Sequence, residues 1–103
     1  MEFYQGDAFN IPITLNMDNI VLSPEVLSEL EITLSTITKK LSKNSILFDG
    51  EFIFPLTQQE TFRLAPGKYY MQARIKLTES EEVFGLQLEP EIIVLPSVSK
   101  EVI

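Results

Sequence analysis

Leu64-Ala65-Pro66-Gly67-Lys68-Tyr69-Tyr70-Met71-Gln72-Ala73-Arg74-Ile75-Lys76-Leu77 reads as a Pro-Gly turn feeding a long strand. Side chains along a strand point alternately to its two faces. Tyr69, Met71, Ala73, Ile75 and Leu77 therefore share one face, and Lys68, Tyr70, Gln72, Arg74 and Lys76 share the other. Only one register buries the five apolar residues and solvates the rest, which is the signature of antiparallel sheet covered on one side. The stretch decides architecture and carries no comparable chemical signal.

Working outward, the same alternation recurs. Phe9, Ile11, Ile13 and Leu15 form a first strand after a kink at Gly6-Asp7, and Pro12, which cannot donate to a ladder, places that strand at an edge. Ser23-Pro24-Glu25 suits one short helical turn, with a capping serine and a proline at the first position. Leu30, Ile32 and Leu34 alternate in a second strand running to Thr38, and Lys39-Lys40 begins a weaker third one toward Ser45. Asp49-Gly50 between apolar runs is a hairpin signal, because both turn positions tolerate positive φ. Thr57 followed by Glu60 matches a capping box.

The acidic turn Glu79-Ser80-Glu81-Glu82 reverses the chain into a strand over 83–94, interrupted at Pro90. Six to eight short strands without a long helical pattern predict an all-β sandwich or small barrel. The expected core comprises Phe9, Ile11, Ile13, Leu30, Ile32, Leu34, Phe52, Phe54, Tyr69, Met71, Ala73, Ile75, Phe84, Leu86 and Leu88. Residues 1–96 form one domain and residues 97–103 a tail.

Composition narrows the function classes. The 103 residues are 45% apolar, enough for one globular core. Cysteine and histidine are absent, which removes disulfides, thiolate nucleophiles and the commonest general base and metal ligand. A net charge of −7 repels phosphate backbones, so nucleic acid and anionic membrane are poor partners. No apolar run reaches the ~20 residues of a membrane helix, and the first residues lack the basic and apolar regions of a secretory signal. The expectation is a protein made in the cytoplasm and not exported by a signal peptide.

Asp7, Asp18, Asp49 and Glu51 lack the spacing of a calcium loop, and Asp49-Gly50 is better explained as a turn. There is no glycine-rich phosphate loop, and serine or threonine nucleophiles have no histidine partner. The reading is of a non-enzyme with no cofactor and no metal. Exposed aromatics are the better lead: Phe3 and Tyr4 ahead of the first strand, and Tyr70 beside Arg74 on the polar face, since tyrosine and arginine are enriched where proteins bind. Val98, Val102 and Ile103 make the tail more apolar than solvation needs, which suggests docking by strand addition and a possible homo-oligomer. The segment 39–48, without proline, is the least guarded edge.

Two resemblances add to this reading. Leu64-x-Pro66-Gly67-x-Tyr69 resembles the turn that enters strand F of immunoglobulin-like sandwiches, where a tyrosine hydrogen-bonds back across the corner. Here parity assigns that role to Tyr69 and not to Tyr70. Gln5-Gly6-Asp7-x-Phe9, Asp49-Gly50 before a phenylalanine-rich strand, Leu56-Thr57 with Glu60-Thr61, and Leu64-x-Pro-Gly-Lys-Tyr-Tyr-x-Gln72-x-Arg74 together resemble a second group. These are small immunoglobulin-like domains of Firmicute phages and prophages, such as the N-terminal domain of baseplate upper proteins. That resemblance implies an immunoglobulin-like β-sandwich of about seven antiparallel strands, with one or two helical turns. It further implies a non-enzymatic structural or adaptor role in a tail or baseplate, with other phage structural proteins as partners and the virion as destination. The sequence departs from those longer proteins in ending soon after the sandwich, without their stalk or receptor-binding region, so the expectation is an accessory or adaptor role and not host adhesion. The alternative is an intracellular binding module for a peptide or carbohydrate.

Overall fold

In the computed structural model the described residues are 1–99 and 101–103, with Glu89 and Pro90 given by their backbone alone. Along the chain lie β1 (Glu2–Tyr4), β2 (Phe9–Ile13), β3 (Asn16–Met17), β4 (Ile20–Val21) and β5 (Leu27–Leu34). After them come β6 (Ile37–Lys40), β7 (Leu47–Phe48), β8 (Phe52–Leu56), α1 (Gln58–Phe62), β9 (Gly67–Leu77) and β10 (Val83–Leu95). Short 3₁₀ turns occupy Pro24–Val26 and Leu41–Lys43. The protein is mostly β, as its alternating pattern predicts.

The strands form a five-stranded sheet in the order β1-β10-β9-β5-β6, a three-stranded sheet β2-β8-β7, and the small hairpin β3-β4. Both larger sheets turn their apolar parity to one core. Met71, Ala73 and Ile75 of β9 and Leu30, Ile32 and Leu34 of β5 meet Ile11 and Ile13 of β2 and Phe52 and Phe54 of β8. Burial of this shared interior is the main stabilising term, at roughly 25 cal/mol per Å² of apolar surface removed from water. The body is elongated along the strands, 48 × 23 × 23 Å.

Local chemistry sets the corners. Gly6 has φ +87°, and a Cβ there would lie 2.5 Å from Cζ of Phe62. The fully buried Thr61 hydroxyl accepts from the Gly6 amide at 2.9 Å and faces the Asp7 carbonyl at the same distance. This turn carries the chain from β1 in one sheet to β2 in the other. Thr57 caps α1 with both halves of the capping box in place. Tyr69 is half-buried, and its hydroxyl donates to the Ala65 carbonyl at 2.6 Å, while Tyr70 points to solvent. The corner assigned to Tyr69 by parity is formed by Tyr69.

Several expectations are corrected. There are ten strands among the described residues, and not all are antiparallel: β1 runs parallel to β10. The second strand ends at Leu34 and not near Thr38, because Ser35 adopts φ 55° and opens a tight hairpin into β6. The third strand stops at Lys40, where a 3₁₀ turn begins, and does not reach Ser45. Phe9, Tyr69, Phe84 and Leu86 are half-buried and not core residues, while Phe3, Leu15, Leu22, Ile46, Leu64, Ile92 and Val94 join the core. The ladder between β9 and β10 shifts register between Leu88 and Ile92, the span that holds Pro90.

Candidate interaction surfaces

The residues singled out from sequence separate. Phe3 is not an exposed contact: it is 3% exposed, stacked on Phe9 with ring centroids 5.3 Å apart. As the middle residue of β1 it takes the inward parity, and that strand had no signal long enough to read. Tyr4 and Tyr70 are about half exposed on the outer face of the five-stranded sheet, where the Tyr70 hydroxyl meets Glu91 Oε2 at 3.1 Å. Arg74 is engaged across the sheet, its Nε 3.0 Å from Glu31 Oε1. Lys40 approaches the other Glu31 oxygen at 3.7 Å, so one β5 carboxylate ties its two neighbouring strands. Val98, Val102 and Ile103 are all exposed. Lys100 of the tail lies outside the described residues.

A surface that sequence reasoning missed lies at the end of the body where β2 gives way to β5. Asp18-Asn19 both take positive φ, 52° and 64°, and form the two-residue turn of the hairpin β3-β4. That hairpin lifts Ile20 and Val21 into solvent at 64% and 63% exposure. Met17, Ile20, Val21, Val26 and Leu77 line a depression of about 280 Å³. Val21 also shares a shallow cleft with Phe48, which is exposed and edge-on to Phe52 at 4.9 Å. Asp18 lines the same depression, and Glu79 lines the adjoining one beside Val26 and Leu77. The one sequence signal there is the pair Asp18-Asn19, whose residues tolerate the left-handed region but which lacks the glycine that marked Asp49-Gly50.

A polar clamp joins the two sheets near the opposite end. Lys39 of the edge strand β6 reaches over the Phe54 ring, its Nζ 5.6 Å from the centroid. That ammonium donates to the Pro55 carbonyl and to Glu60 Oε1, the latter at 2.9 Å. Burial pushes the Glu60 carboxyl up, but hydrogen bonds from the Thr57 amide and Lys39 outweigh it and hold the group below its ordinary value. Glu29 behaves alike: burial raises it, and the Ser42 hydroxyl and amide, the Leu30 amide and Lys40 bring it down overall. Both carboxylates are explained by structural partners; Glu29 shares a surface depression with Glu31, but Lys40, Arg74 and Lys76 line it too and offset the two acids.

Among the described residues no group of three or more acidic side chains converges as a metal site, and no helix is long and apolar enough to cross a membrane. No family model, curated protein or solved structure matches the chain.

Proposed function

We propose that the chain is an immunoglobulin-like β-sandwich that serves as a non-enzymatic structural or adaptor component of a phage or prophage particle, tail- or baseplate-associated and working through protein contacts. The observation that carries the contact role is the apolar end formed by Ile20, Val21, Val26 and Phe48, each more than 40% exposed in a chain of net charge −7. Exposed apolar side chains grouped in this way, rimmed by charge, mark surfaces that partners cover. The immunoglobulin-like reading is supported by sheet order. With β2, β5, β6, β7, β8, β9 and β10 taken as strands B, C, C′, D, E, F and G, one sheet holds G, F, C and C′ and the other B, E and D. The corner tyrosine at the start of β9 supports it further. The phage assignment rests on the motif resemblance.

Two observations test the reading. Genes flanking this one should encode head, tail or baseplate components, and peptides of the chain should appear in purified particles induced from the strain that carries it. Metabolic neighbours together with particles free of the protein would remove the phage role.

A further inference from the structure

The last strand is paired unevenly. β10 runs beside β9 over both its halves, from Val83 to Leu88 and again from Ile92 to Val94. On its other side β1 covers only Ile93, Val94 and Leu95. Residues 83–88 therefore present one strand flank with no partner strand among the described residues. That flank reads Val-Phe-Gly-Leu-Gln-Leu, without charge and without proline. Natural edge strands are guarded by charge, proline, bulges or a covering segment, and an apolar flank lacking them is a template for strand addition. The guards of this chain sit elsewhere: Pro12 on β2, Lys40 on β6, within the stretch 39–48 expected to be the least guarded edge, and Pro90 on β10 itself, beyond the flank in the span where the ladder to β9 shifts register.

Burial along β10 gives the same message. Leu88, Ile92 and Val94 point inward and are buried, but Phe84 and Leu86, of the same parity, are only half-buried. Leu86 borders open space. An open groove of about 470 Å³ runs there, lined by Pro12, Thr14, Leu15 and Asn16 on one wall and Leu86, Gln87 and Leu88 on the other.

The tail has the complementary problem. Val98 and Ile103 are fully exposed, although the tail is tethered by the Ser97 amide to Gln5 Oε1 at 3.3 Å and by the Ile103 amide to Gln58 Oε1 at 3.0 Å. Those tethers hold backbone and leave the apolar side chains uncovered. The tail cannot lie along its own flank. Residues 96–103 extend at most about 26–29 Å at about 3.3–3.6 Å per residue, whereas Leu88 lies about 23 Å and Val83 about 40 Å back along the strand from Leu95. The tail spends nearly all its length in reaching Leu88, so a tail paired along residues 83–88 belongs to another molecule.

We propose that residues 83–88 accept the C-terminal segment 97–103 of a second copy as an added strand, giving head-to-tail assembly. Seven tail residues match the six-residue flank in length, and Val98 and Val102 have the spacing of Phe84 and Leu88. The donor segment and the acceptor flank are different surfaces, so the contact is heterologous and repeats from copy to copy as a ring or filament. The proposal deepens the contact role proposed above and rests on it.

Light scattering on three proteins decides the matter. The full chain should gain mass with concentration beyond its 11.7 kDa. A chain lacking residues 97–103 should stay at that mass, and so should Leu86→Lys, which puts an ammonium in the groove. Mixed together these two should form a dimer that grows no further, since one supplies an intact flank and the other an intact tail. A full chain that stays monomeric at millimolar concentration overturns the proposal, as does assembly that survives in either variant, or a mixture that does not pair. If Leu86→Lys loses its fold, a synthetic peptide of residues 97–103 is titrated into the tail-deleted protein. Amide shifts at residues 83–88 support the proposal, and shifts elsewhere or none refute it. None of these failures touches the particle role, which flanking genes and particle composition judge separately.

Discussion

Replacing Lys39 by methionine tests how the two sheets are held together, because it keeps the aliphatic stem and removes only the ammonium. The wild-type Nζ donates to the Pro55 carbonyl and to Glu60 Oε1, with side-chain exposures of 12% for Lys39 and 22% for Glu60. Hydrogen bonds involving a charged group contribute about 1.5–3 kcal/mol each, and breaking a buried ion pair costs about 3–5 kcal/mol. Two features reduce the loss here. Glu60 keeps its bond from the Thr57 amide at 2.9 Å, and a fifth of its side chain is open to water. The expected cost of Lys39→Met is therefore about 2–3 kcal/mol, a fall in Tm of about 8–20 °C for a domain of this size. Urea denaturation measures it directly. A double-mutant cycle with Glu60→Gln should give a coupling of about 1 kcal/mol or more, little altered by high salt. A loss below about 0.5 kcal/mol, the value of an exposed surface pair, would refute the clamp as an inter-sheet restraint.

Acid stability should depend on the same carboxylate. Its folded-state pKa is depressed from an ordinary 4.5, so Glu60 adds stability above that pH, and the contribution is lost as the pH falls through the folded-state value. Glu60→Gln should flatten the acid limb of a stability profile below about pH 4.5, read by denaturation at stepped pH. Tyr69→Phe should cost about 0.5–1.5 kcal/mol through the lost bond to Ala65, and an equal or larger effect from Tyr70→Phe would put the corner at the wrong residue. Ile75→Ala, at a fully buried site of β9, should cost about 2–5 kcal/mol by calorimetry or denaturant. Gly6→Ala should destabilise by more than the roughly 1 kcal/mol of an ordinary glycine replacement, because positive φ and the Phe62 ring oppose it together.

Long alternating segments were legible because the period of a strand is written in the order of its side chains. Tyr69 to Leu77 and Leu30 to Leu34 placed the correct faces inward, and Thr57 with Glu60 announced the cap of α1. Short elements escaped. Three residues of β1 and two each of β3 and β4 hold too few side chains for a period, so Phe3 looked like a surface aromatic and Ile20 and Val21 went unnoticed. The break at Ser35 escaped as well, because serine in the left-handed region has no strong propensity to announce it.

By itself the sequence determined which face the long strands bury, where glycine and capping chemistry turn the chain, and that these 103 residues hold no thiol, disulfide or imidazole. Those are properties of neighbours along the chain. Only the tertiary structure decided which strands lie side by side, that Lys39 reaches from β6 to Pro55 of the other sheet and to Glu60 of α1, and that β1 is too short to cover β10. Each of those depends on residues far apart in sequence brought within a few ångströms by the closing of one core. The uncovered flank at residues 83–88 is a property of that closure, since any strand looks the same in sequence whether its neighbour is present or missing.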